Sequence, residues 1–270
     1  MNTQKLASVC AALLGLAFFP VSATAQTVNM TFNNVYPLIN VSGNAGTGTF
    51  SAGDGLLGFQ VLSVTPAPLI PFPATLALFC IELQQQITNN QNANYTLLSA
   101  DQAAKGVASG LSANIGIGGI GAARARNLEI LYAQVFGTNY DPANTMTTPT
   151  GSLTIAQKQQ AFQFAVWELS HDDDFNLVTV SITPRLWITS PGNPIRGEAQ
   201  LLVDAVFTAT GDINAARMSL SVLHNAGVQD FLIPDALITP IPEPSVYAAM
   251  VAILTFGVVA ARRHRSQAAG

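Results

Sequence analysis

The stretch "TIAQKQQAFQFAVWELS", Thr154 to Ser170, decides what kind of domain this chain can build. Phe162, Ala165, Val166 and Leu169 fall on one face at helical spacing, and Phe164 and Trp167 carry apolar surface round to the other side. A helix apolar nearly all round needs cover on every side and is therefore buried. Thr154 is a good N-cap for it. Gln163 lies inside the apolar run, four residues before Trp167 and next to it on the helix surface. A buried carboxamide left unpaired costs roughly 1–3 kcal/mol, so Gln163 needs partners.

Around this helix the chain reads strand, helix, strand. Upstream, "TVNMTFNNVYPLINV", "TGTFSAGDGLLGFQVLSV" and "TLALFCIEL" show alternating or β-branched apolar runs punctuated by Gly-Asp-Gly and a proline-rich segment. Two more helices are predicted, "AARARNLEILYAQVFG" ending at a Gly137 cap and "GEAQLLVDAVFTATG" ending at Gly211. "RMSLSVLHNAGVQDFLI" returns to strand, as a hairpin turning near His224 to Gly227. This order predicts an α+β domain, a β-sandwich or barrel-like sheet carrying a helical subdomain.

Residues 26–239, 214 in number, are enough for one substantial core. In that span fourteen Asp and Glu stand against seven Lys and Arg, a formal charge of −7. So acidic a surface argues against nucleic acid and anionic membranes as partners. The two ends read as sorting signals. Residues 1–25 carry Lys5, an apolar stretch and Ala23-Thr24-Ala25, the pattern of a leader removed by signal peptidase. Near the other end, Ser245 to Ala261 is uncharged and slightly shorter than the ~20 residues of a usual transmembrane helix. Arg262, Arg263 and Arg265 follow at once and are expected to stay cytoplasmic, leaving residues 26–239 outside. Pro242-Glu243-Pro244, the short span and the basic cluster together resemble the PEP-CTERM sorting signal of exosortase-processed proteins over residues 240–265. That resemblance implies a Gram-negative host making exopolysaccharide, a transient inner-membrane anchor, cleavage by an exosortase-type enzyme and release of the ectodomain to the cell surface or medium.

Removal of Cys10 with the leader leaves Cys80 as the one cysteine, inside "LFCIEL", in a disulfide-permissive compartment. Such a thiol pairs between molecules, reacts, or packs as a small hydrophobe. "FCIE" followed many residues later by "FQFAVW" resembles the paired signature of bacterial thioester domains, also called TQXA domains, in which a cysteine and a glutamine are cross-linked. The resemblance makes Cys80 the thioester cysteine and Gln163 the acyl donor, with Ala165 and Trp167 at the small and aromatic positions of the second string. Phe162 stands where that string usually carries threonine.

The chemistry suits those residue types. A thiolate held against a carboxamide can attack its carbon and expel ammonia when the fold supplies a high effective molarity. The product must then be kept dry, and Phe79, Phe162, Phe164 and Trp167 are bulky enough to shield it. On a strand Glu82 shares a face with Cys80, which makes it equally a proton-handling group or an ordinary strand-end carboxylate. His171, one turn beyond Trp167, is a weaker candidate for that proton work and reads rather as a surface residue. The exported span holds two lysines, Lys105 and Lys158, which suits an amine-reactive group, although low overall charge accounts for the scarcity nearly as well.

Other motifs are set aside. Gly116, Gly118 and Gly121 match a dinucleotide fingerprint in spacing, but no strand precedes them. "SHDDDF", Ser170 to Phe175, lacks the spaced ligands of a calcium loop and reads as a solvated run beyond the helix end. No metal or cofactor is expected. The expected function is single-turnover covalent capture of an amine or hydroxyl on a partner surface or extracellular polysaccharide, by a binding module that is not a turnover enzyme. The alternative is a non-reactive structural component of the biofilm matrix in which Cys80 and Gln163 are merely core. A secreted polysaccharide hydrolase ranks below both, because no spacing pairs two carboxylates.

Overall fold

The computed structural model describes residues 26–35, 39–45, 49–54, 56–67, 72–81, 87–103, 119–171, 177, 186–188, 194–210, 212, 215–238 and 255. The chain divides into two units, Ala25–Thr239, and Met1–Thr24 with Pro240–Gly270. The leader, Pro242-Glu243-Pro244 and the basic cluster lie outside the described residues, as does nearly all of the apolar span before the cluster. Among the described residues no helix is long and apolar enough to cross a membrane.

Six strands of the larger unit close into an antiparallel barrel. Its order is β1 (Thr27–Val35), β4 (Leu57–Thr65), β5 (Thr75–Cys80), β9 (Phe231–Pro234), β8 (Leu220–His224) and β6 (Asn92–Ser99), with β6 returning to pair with β1. Strand β1 shows why it forms: Val28, Met30 and Phe32 are buried, and the residues between them are polar and at least partly exposed. That period of two directs one face into the barrel. Phe59 pairs with Leu76 and Leu57 with Leu78, so Leu76 and Leu78 share the inner face, and Ala77 and Phe79 turn the other way. Ring contacts of Phe59 with Phe32 at 5.6 Å and with Phe231 at 4.6 Å, and of Tyr95 with Phe231 at 5.8 Å, fill the interior.

A second sheet joins β2 (Ile39–Ala45), β3 (Thr49–Asp54) and β7 (Leu186–Ile188) in the order β3-β2-β7. The first apolar run of the sequence is therefore two strands in two sheets, β1 in the barrel and β2 in the second sheet. Strand β6, with its polar "NANYT", carried too little apolar alternation to be expected.

The described helices, α1 (Gly121–Phe136), α2 (Ile155–His171) and α3 (Pro194–Thr210), are inserted between β6 and β8. Each end has a local cause. Gly137, at φ 62°, donates its N–H to the Ala133 carbonyl at 2.8 Å and closes α1. At the start of α2, Gln157 N–H donates to Thr154 Oγ1 at 3.3 Å, and Thr154 N–H donates to Gln157 Oε1 at 3.0 Å, a reciprocal capping box. Helix α3 begins three residues before the predicted Gly197, at Pro194, whose missing N–H costs nothing in a first turn. Gly119 belongs to a tight connection: a side chain there would meet the Asp101 carbonyl at 2.1 Å, so that position requires glycine.

Every residue of α2 from Gln159 to His171 is buried, as an all-round apolar helix requires. Arg124 of α1 donates to the Leu169 carbonyl at 3.2 Å, and Gln159 donates to the Pro142 carbonyl at 2.8 Å, so these two buried polar side chains bond to backbone.

Candidate functional site: the Cys80 and Gln163 seam

Cys80 is the last residue of β5, and the sheet is incomplete around it. Register between β4 and β5 stops at the Leu57–Leu78 pair, so β4 places no residue opposite Cys80. On the other flank, Cys80 pairs with Phe231 of β9, and Ile81 donates its N–H to the Asp230 carbonyl at 3.0 Å. Backbone groups of neighbouring strand residues point to opposite edges, so the N–H and C=O of Cys80 face the gap that β4 has left.

Helix α2 fills that gap with Gln163. Its Oε1 accepts the Cys80 N–H at 3.1 Å, and its Nε2 donates to the Cys80 carbonyl at 2.7 Å. A carboxamide carries the donor and acceptor of a peptide group, so this side chain replaces one residue of a missing strand. Gln163 is fully buried, and Cys80 is a buried thiol outside any disulfide. The structure thus brings together two residues 83 positions apart, with the carboxamide carbon held against the backbone of the cysteine.

The surroundings are mostly rings. Phe79 meets Phe162 at 4.6 Å, and Phe162 lies edge-on to Tyr132 at 5.0 Å and to Phe136 at 5.1 Å. Phe162 therefore extends an apolar wall where a threonine would present a hydroxyl. Phe164 and Trp167 pack on one another at 5.9 Å, and Ala165 is fully buried between them in sequence. Glu82 lies outside the described residues.

His171 is not a surface residue. Two turns beyond Gln163 it continues the side of α2 that faces β5, and its Nε2 hydrogen-bonds the Ile81 carbonyl. Gln163 and His171 thus hold consecutive residues of the strand exit. A further buried polar group behind the ring wall is Tyr132, and burial, then Tyr140 and Cys80, push its pKa well above the ordinary tyrosine value. Tyr140 is similarly raised by burial, and its hydroxyl donates to the Ala77 carbonyl at 2.8 Å.

The β9 flank is braced separately. Asp230, fully buried, accepts from the Asn225 N–H at 2.7 Å and bonds His224 Nδ1 at 2.7 Å, holding the predicted turn between β8 and β9. Burial raises the Asp230 pKa, and the His224 and Asn225 bonds pull against that rise. Among the described residues no group of His, Cys, Asp or Glu could hold a metal ion.

Comparison with known proteins is sparse. No protein-family model matches the chain, and no curated protein matches it. A solved structure that resembles it is the N-terminal thioester domain of fibronectin-binding protein SfbI from Streptococcus pyogenes, with a TM-score of 0.40, 12% identity and coverage of 75% of this chain and 96% of that one.

Two residues of the seam carried little signal in the sequence. Tyr132 stands in the apolar stripe Leu128, Tyr132, Phe136 of α1, where one hydroxyl among aliphatic and aromatic neighbours was the available sign. His171 was obscured by the acidic run that follows it.

Proposed function

We propose that residues 26–239 form a covalent-capture adhesion module of an exported surface protein, built on an internal thioester between Cys80 and Gln163. The observation that carries this reading is the double hydrogen bond from the Gln163 carboxamide to the Cys80 backbone. It fixes the acyl carbon beside the cysteine that would attack it, which is the proximity the reaction needs. The Cys80 N–H on Oε1 also polarises the carbonyl in the direction in which oxyanion charge develops. Closure joins Cys80 Sγ to Gln163 Cδ, and the thiol proton leaves with the amide nitrogen as ammonia. An amine or hydroxyl on a partner protein or polysaccharide then attacks the same carbon, and its proton returns to sulfur. The ring wall limits hydrolysis in between. In this reading the terminal signals bring the module through signal peptidase and an exosortase-type enzyme to the surface of a Gram-negative cell.

A second reading keeps the same geometry without chemistry. Gln163 satisfies two buried backbone groups that β4 leaves open, and that alone justifies a glutamine in a structural protein of the extracellular matrix. Intact mass of the full chain before and after methylamine, beside Cys80→Ala, separates the two. A chain one ammonia lighter than its sequence, which gains a methylamine adduct absent from the control, is the expected result. A mass equal to the sequence, with Cys80 titrating as a thiol, establishes the structural reading.

A further inference from the structure

The outward face of β1 and its neighbours β4 and β6 carries three rows of uncharged polar residues. Register places Asn29 between Ser63 and Asn94, and Thr31 between Gln60 and Asn92. The row beyond them is three threonines, Thr65, Thr27 and Thr96. Val28, Met30 and Phe32 point into the barrel, so these rows point out, and Gln60, Asn92 and Asn94 are exposed. The lack of charge extends along the chain: residues 26–100 contain two charged residues, Asp54 and Glu82, whereas residues 101–239 contain nineteen. A surface that serves solubility alone carries interspersed charges of both signs. Asparagine is moreover a poor strand former, so Asn29, Asn92 and Asn94 weaken the strands that hold them. A local rule broken without a gain in folding points to a use. Asn29 Nδ2 donates to Asn94 Oδ1 at 2.6 Å, and Asn33 Nδ2 donates to Gln60 Oε1 at 3.2 Å. These bonds fix the amides in pairs and leave Asn94 Nδ2 and Gln60 Nε2 available to a ligand.

We propose that this face is a non-covalent binding site for an uncharged polysaccharide. It spans about 10 Å across three strands and about 14 Å along five residues, an extended platform for a chain of sugars. A glycan hydroxyl both donates and accepts, so fixed amide pairs and threonine hydroxyls can meet it in either sense. The bulge in β4 leaves Leu62 out of the pairing and 49% exposed beside Ser63. An apolar side chain at the rim of a hydrogen-bonding grid matches a pyranose ring, whose C–H faces are bordered by hydroxyls. Other partners fit less well. Nucleic acid and acidic polysaccharide need cations, and β1, β4 and β6 contain no Lys or Arg. A protein interface is centred on aromatic or Arg anchors, and the grid offers neither. The face is independent of the seam: it needs neither Cys80 nor a closed thioester, and it holds a glycan on the module whether or not bond formation follows.

The test is affinity electrophoresis of the full chain carrying Cys80→Ala, in native gels cast with dextran, hydroxyethylcellulose or galactomannan as neutral glycans and with alginate as the acidic one. Cys80→Ala removes any thioester, so failure of the thioester reading leaves this result untouched. At least one neutral glycan should retard the chain, equally at low and high salt because no ion pair is involved, and alginate should not. Two substitutions probe the face. Asn94→Asp keeps Oδ1, the atom that accepts from Asn29, and replaces the open amide N–H groups with charge. Asn92→Ala trims an exposed side chain. Each should weaken retention about three- to tenfold, the worth of one hydrogen bond, with the unfolding midpoint unchanged. Arg217→Gln, an exposed change outside the grid, should leave retention as it is. Retention by alginate alone, retention by no glycan, or undiminished retention of both Asn variants overturns the proposal.

Discussion

The barrel interior and the seam between β5 and α2 bury comparable rings yet solve different problems. In the barrel, strands pair with strands and the rings of Phe32, Phe59, Tyr95 and Phe231 fill the space. At the seam a strand ends early, and a side chain supplies the peptide group that the neighbouring strand does not. A strand in that position would have satisfied Cys80 equally well, but attack on its peptide carbon would cut the chain, whereas attack on a primary carboxamide would release ammonia alone. The difference shows how a fold can bury a carboxamide at low cost: it puts that group where the backbone already needs a hydrogen-bonding partner.

The comparison breaks if the two regions respond alike to substitution. Phe231→Ala should have the largest effect, about 3–5 kcal/mol in denaturant unfolding, through a cavity at the centre of the ring cluster. Gln163→Ala is best made in a Cys80→Ala background, where no thioester can form and only the two backbone bonds are at stake. There it should cost roughly 2–4 kcal/mol, from two buried groups left unsatisfied. A cost near zero would mean that water or a shifted strand replaces Gln163, and the seam would lose its structural rationale. Tyr132→Phe should have the smallest effect on stability, neutral or slightly stabilising, because it removes a buried hydroxyl that makes no hydrogen bond. A large loss there would place Tyr132 with the packing residues of the barrel.

Legibility followed the same division. The buried helix, its Thr154 cap and the Gly137 stop were readable because periodicity and capping are local. So was the hairpin turning near His224 to Gly227. Strand β6 was missed because its partners, β1 and β8, lie far away in sequence and supply the pairing that its own composition does not announce. At the site, Gln163 was conspicuous as an amide in an apolar run, but that its partner would be the backbone of Cys80 depended on where β4 ends. His171 was misread because three acidic residues after it suggested solvent, whereas the helix side it shares with Gln163 faces β5.

Cys80 and Gln163 are 83 residues apart along the chain, with β6 and α1 between them. A bond between the two would tie that whole length into a ring and convert an open polymer into a lasso. The unfolded chain would then have far fewer conformations to explore, an effect on the order of 4–5 kcal/mol for loops of this size if loop entropy alone acts. Capture of a ligand would cut the ring, so the module would lose stability at the moment it gains its partner. The unfolding midpoint in guanidinium should therefore fall after methylamine, and an unchanged midpoint would show that the ring never closed or that loop entropy is offset elsewhere.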